Sequence, residues 1–96
     1  RQILLVRALD GAVPVYAHVP LLVNADGEKL SKRDGAVTIR ESREAGVRPE
    51  ALLGWLAGAM GQGSAPRSAS DIASAWRWEN VRPKPVVVPE GLISTL

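Results

Sequence analysis

Apolar residues fall along this chain in short bursts divided by glycine, proline and small polar residues, and the spacing within each burst predicts an element. Ile3, Leu4, Leu5, Val6 and Leu9 form an apolar stripe, which predicts a helix over Gln2–Leu9. Asp10-Gly11 is its expected end, with the glycine taking the left-handed conformation. Val13-Pro14-Val15 leads out as an extended segment. Val19 to Val23 reads as a short buried strand, in which Pro20 fits only an edge or the first position because it has no N–H. Asn24-Ala25-Asp26-Gly27 is a turn: the two side chains bond back to the backbone and Gly27 supplies a positive φ. Glu28 to Asp34 is then a polar loop, and Gly35 is a second hinge-capable position.

The second half reads as helices. Val37 to Ile39 is β-prone, a short strand or a helix entry. Thr38 is placed to cap a helix over Ile39–Ala45, with Glu41 three positions on as its capping-box partner, and Gly46 to end it. Pro49 suits the first turn of the next helix, where a missing N–H costs nothing. Leu52, Leu53, Leu56 and Met60 then carry that helix from Pro49 to Met60, and together with Trp55 they read as core. Gly61 to Ser68 reads as a Gly/Ser/Pro linker. Ser70 is expected to cap a short helix with Ile72, Ala75 and Trp76 on one face, after which the chain becomes extended from Trp78. Pro83, Pro85 and Pro89 exclude a central strand, so Val86-Val87-Val88 is an edge strand or a packed tail. The fold class is therefore α-rich α+β, in two parts: residues 1–61 with the basic loop, and residues 62–96 with the linker, short helix and tail.

Composition narrows the chemistry. At 96 residues the chain is one small domain or part of a larger one, and a net charge of +2 neither demands nor excludes nucleic acid. There is no cysteine and one histidine, so neither a thiolate zinc site nor a histidine-rich metal site is available. No apolar run approaches the roughly 20 residues that span a bilayer, and no signal peptide is visible, so a cytoplasmic location is the default expectation. The chain opens on Arg1 with no capping residue before the first helix, which reads as sequence missing upstream.

The run with most chemical content is Lys29-Leu30-Ser31-Lys32-Arg33. Two ammonium groups three residues apart, with a hydroxyl between them, suit a polyphosphate better than a single carboxylate. On spacing alone, a solvated basic loop is the simpler reading. Arg40, Arg43 and Arg48 read first as solvated charges paired with Glu41 and Glu44. Arg82 and Lys84 read the same way. Trp76 and Trp78 read as packing anchors before base-stacking groups.

The basic run resembles the KMSKS signature of class I aminoacyl-tRNA synthetases. The likeness extends through Tyr16 to Asn24, Asp26-Gly27, Gly35 to Ile39, Arg43 to Gly46 and Pro49 to Leu53, all similar to the glutamyl/glutaminyl branch. Asp71-Ile72-Ala73, Trp76, Trp78 and Arg82 to Val87 look like the C-terminal end of glutamyl-Q tRNA(Asp) synthetases. Lys32-Arg33-Asp34-Gly35 is closer to ordinary glutamyl-tRNA synthetases, which form the alternative. No version of the HIGH signature occurs.

The resemblance implies the C-terminal part of a class I catalytic region, with the nucleotide-binding core upstream and this chain inert by itself. The implied partners of the full protein, expected as a monomer, are ATP with Mg, glutamate and tRNA, tRNA(Asp) before tRNA(Glu), and no membrane. Lys32 and Lys29 are implied as the catalytic phosphate contacts, with Ser31 supporting them. His18 and Val19 are implied to meet the adenine ring through backbone groups, so that Lys29, Ser31, Lys32, His18 and Val19 form the ATP-binding set. A tRNA-contact module without catalysis is the reading from a different class.

Overall fold

A computed structural model describes residues 1–30 and 38–96. Helix α1 spans Gln2–Ala8, strand β1 Leu22–Val23, helix α2 Ile39–Glu44, helix α3 Pro49–Ala59 and helix α4 Ala69–Ser74. A 3-10 turn follows at Trp78–Asn80, then strand β2 at Val86–Val87 and helix α5 at Leu92–Thr95. The α-rich α+β reading agrees with this small helix-rich fold and its short parallel strand pair.

Local chemistry explains most boundaries. The Thr38 hydroxyl accepts the Glu41 N–H at 3.1 Å and starts α2. Gly46 N–H bonds Arg43 O and Val47 N–H bonds Ser42 O, a paired closure that ends the helix and satisfies two carbonyls otherwise left open. Pro49 is the first residue of α3, and the same paired closure ends it at Gly61 and Gln62. At the end of α1 the left-handed residue is Asp10, at φ 56°, and not Gly11 as expected. Gly11 instead donates its N–H to Val6 O at 2.8 Å. Aspartate tolerates that conformation better than most side chains.

Three other expectations shift. The strand expected over Val19–Val23 is confined to Leu22–Val23, and Pro20 lies buried just before it. The cap of α4 is Ser68, whose hydroxyl accepts the Asp71 N–H at 3.1 Å, while Ser70 lies inside the helix and its carbonyl accepts the Ser74 hydroxyl. A hydroxyl caps best when it stands three residues before the N–H it accepts from, and Ser68 and Asp71 have that spacing. The extended reading after Trp78 misses the 3-10 turn and α5.

Helix α3 is the organising element. Gly54 and Ala57 are its buried positions, whereas Leu52, Leu53, Trp55, Leu56 and Met60 are half-buried. Leu53, Leu56 and Met60 face α4 residues Ile72 and Ala73 and the two tryptophans, whose rings meet edge to face at 5.2 Å. Trp76 is half-buried, as a packing anchor should be, but Trp78 is 56% exposed.

Residues 61–68, read as a linker, lie tightly on α3: a Cβ on Gly54 would stand 2.8 Å from Ser64 O and 2.9 Å from Ala65 O. The Arg67 guanidinium ties this segment by donating to Gln62 O, Gly63 O and Ala65 O. Gln62 in turn exchanges bonds with Arg77, accepting its N–H at 2.8 Å and donating to its carbonyl at 2.9 Å. No helix among the described residues is long and apolar enough to cross a membrane.

Candidate functional site

Strand β1 leads through a turn to Lys29, the first residue of the basic run, and both edges of the strand are used. On one side β2 lies parallel to it, with Leu22 opposite Val86 and Val23 opposite Val87. On the other, Val23 pairs with Lys29 in an antiparallel bridge. Val23 is 3% exposed, so the residue between the two pairings is among the most buried side chains described.

The turn joining Val23 to Lys29 is held by Asn24. Its Oδ1 accepts the N–H groups of Asp26 at 3.0 Å and Glu28 at 2.9 Å. Its own N–H donates to Glu28 O at 2.8 Å, and Gly27 N–H donates to Asn24 O at 3.0 Å. Gly27 sits at φ +81°, a conformation that costs glycine nothing and a side chain about 1 kcal/mol or more. The expected turn is present, with the Asn24 side chain bonding back to the backbone, but Asp26 takes part through its N–H and its side chain makes no hydrogen bond among the described residues.

Lys29 emerges from this turn exposed. Leu30 behind it is half-buried and shares an apolar groove with Leu22, Leu52, Trp55, Leu56 and Leu92. The leucine anchors the start of the run while the lysine beside it stays in water. The groove itself does not suit a polyphosphate: among the described residues its lining includes Asp26 and Glu90 and no lysine or arginine.

Of the other expected site residues, Ser31 and Lys32 lie outside the described residues, as does Gly35. His18 and Val19 fall in an irregular exposed segment, Val19 at 51% exposure, on the approach to β1. Lys29 and the His18–Val19 segment are thus attached to opposite ends of one strand. Among the described residues the one ion pair is Arg77 to Glu79 at 3.2 Å. Arg40, Arg43 and Arg48 are exposed and, within those residues, not paired with Glu41 or Glu44 as expected. Long side chains at a solvated surface gain too little from such a pair to be fixed by it. No cluster of three or more histidine, cysteine, aspartate or glutamate residues occurs among the described residues.

Sequence reasoning did not find the Gln62, Arg67 and Arg77 cluster. Nothing marks it in the sequence, because Gln62 and Arg77 are 15 residues apart.

The chain belongs to the tRNA synthetases class I (E and Q), catalytic domain, whose family pattern matches residues 1–74. Within that family it is similar to glutamate–tRNA ligases. It is 54% identical over 57 residues to that of Nitrosomonas europaea, and 56% identical over 57 residues to those of Burkholderia mallei and Burkholderia thailandensis. Each match covers 59% of this chain and 12% of the relative, so the chain spans a small part of the curated relatives' length.

Proposed function

We propose that the intact protein activates glutamate with ATP and passes it to a tRNA. The observation that carries this reading is the β1–Asn24 turn that delivers Lys29, inside a segment matching the catalytic domain of the family. In the activation step the glutamate carboxylate attacks the α-phosphorus of ATP, the bond to the β-phosphate oxygen breaks, and pyrophosphate departs. Negative charge builds on the transferring and leaving phosphates, and preorganised cations lower that barrier. Lys32 and Lys29 supply the cations, Ser31 supports them, and the backbone at His18 and Val19 meets the adenine. Mg would travel with ATP, whose phosphates screen poorly without it. Each charge-assisted contact contributes about 1.5–3 kcal/mol, or about ten- to a hundredfold in rate.

The acceptor we propose is queuosine in the anticodon of tRNA(Asp). Its support is the likeness of Asp71 to Ala73, Trp76, Trp78 and Arg82 to Val87 to glutamyl-Q enzymes. The second reading, aminoacylation of tRNA(Glu), is favoured by the names of the relatives and by Lys32-Arg33-Asp34-Gly35. Labelled glutamate, ATP and the intact protein separate the two. Label on queuosine-containing tRNA(Asp) alone supports the first, and label on tRNA(Glu) replaces it with the second. Label on neither, with no adenylate formed, overturns the activation reading.

A further inference from the structure

Strand β2 lies beyond residue 74, where the family match ends, yet it is bonded to the strand beside which Lys29 pairs. Val86 N–H donates to Leu21 O at 2.9 Å and Val88 N–H to Val23 O at 2.8 Å. Carbonyls alternate along a strand, and the one between these, on Leu22, points the other way and accepts the Leu30 N–H at 3.4 Å. The tail therefore holds Leu21 and Val23 from one edge while Leu30 holds Leu22 from the other. A two-residue strand paired on one edge only is marginal in water. The grip is reinforced by side chains: Val88 and Leu92 line the groove that holds Leu30.

We propose that β2 is a positioning element for Lys29: by bonding Leu21 and Val23 it fixes the edge from which the lysine is presented to phosphate. This rests on the reading that Lys29 contacts the phosphates of ATP. A misplacement of about 1 Å at such a group costs on the order of a hundredfold in rate.

The test is Val88→Pro in the intact protein, which deletes the N–H donated to Val23 O, with Val88→Ala as the variant that keeps it. Two readouts are taken: hydrogen exchange over residues 22–30, and ATP–pyrophosphate exchange with glutamate and tRNA present. Positioning predicts faster hydrogen exchange over 22–30 with α3 unaffected, and a smaller effect of the same kind for Val88→Ala, which keeps the N–H and loses only part of the side chain in the groove. It predicts a fall in kcat of about ten- to a hundredfold with little change in the KM for glutamate. It also predicts that in a Lys29→Ala background Val88→Pro costs almost nothing more, since the group it positions is gone. An equal loss in both backgrounds, or exchange that rises across α3 as well, makes β2 merely structural and overturns the proposal. Unchanged hydrogen exchange over 22–30 overturns it too, whatever the activity. If the wild type activates no glutamate, or Lys29→Ala loses nothing while Val88→Pro does, the reading of Lys29 fails, and β2 as its positioning element with it. Those results are distinct from a normal Lys29 effect with a silent Val88→Pro, which sinks the β2 proposal alone.

Discussion

Replacing Asn24 with alanine removes one acceptor that serves two N–H groups. Asp26 N–H at 3.0 Å and Glu28 N–H at 2.9 Å both lose their partner, while the two backbone bonds of the turn remain. A net hydrogen bond contributes about 0.5–1.5 kcal/mol, and the freed N–H groups here reach water, so the low end applies to each. The turn should therefore loosen by about 1–2 kcal/mol, which raises its open population roughly 5- to 30-fold. Hydrogen exchange at Asp26 and Glu28 in the intact protein reads this directly. Exchange should speed by about that factor in Asn24→Ala. Asn24→Asp keeps an acceptor oxygen and should retain most of the protection, because a carboxylate bonds backbone N–H groups more strongly than an amide does. Some of that gain is offset by the nearby charges of Asp26 and Glu28. Adenylation should fall by no more than the same factor, since the open turn is the state in which Lys29 is lost. Unchanged exchange in Asn24→Ala, or an aspartate variant as loose as the alanine one, would refute the assignment of the clamp to Oδ1.

Three further perturbations test separate links. Lys32→Ala in the intact protein should lower the adenylation rate by about ten- to a hundredfold and weaken ATP binding far less; equal losses in pre-steady-state rate and ATP affinity would remove its transition-state role. Gly54→Ala gains about 1 kcal/mol of helix propensity. Its Cβ, however, meets two carbonyl oxygens at 2.8 and 2.9 Å, and overpacking of that kind costs about 1–3 kcal/mol. Exchange at Gly61 and Gln62 should therefore quicken, and slower exchange would mean that residues 61–68 do not lie on α3. Thr38→Ala should cost α2 about 1 kcal/mol through loss of its cap, read as faster exchange over Glu41–Glu44, with Thr38→Ser close to wild type.

Much of the helical layout was legible because the deciding groups are near in sequence. Thr38 and Glu41 are three residues apart, Pro49 marks its own position, and Gly46 closes a helix onto carbonyls within the preceding turn. Where two nearby residues competed for one role, pattern alone did not decide: Ser68 and not Ser70 caps α4, and Asp10 and not Gly11 goes left-handed. Long-range chemistry was illegible. The pairing of Gln62 with Arg77, the packing of residues 61–68 on Gly54, and the parallel register of β1 with β2 all depend on the chain's folding back on itself. For the site, the residues showed a basic run after a turn, and a phosphate contact was implied by resemblance alone. The structure adds how its first lysine is tethered.

Burial and the site converge at one residue. The apolar stripe of α1 remains open: Leu4, Leu5 and Leu9 are 71%, 60% and 74% exposed. This helix has seven residues and no buried side chain, well below the length at which helices stand alone. Among the described residues the apolar pattern is satisfied instead at Ala57 and Ile72, between α3 and α4, and at Val23. Val23 is the position from which Lys29 is paired and onto which the tail closes. A mobile, solvated side chain is useful in catalysis only when its backbone does not move with it. On the role proposed for Lys29, that condition would be met through Val23, which is held on both edges and buried between them. Polar replacement of Val23 should therefore be felt in the placement of Lys29, although Val23 itself carries no chemistry.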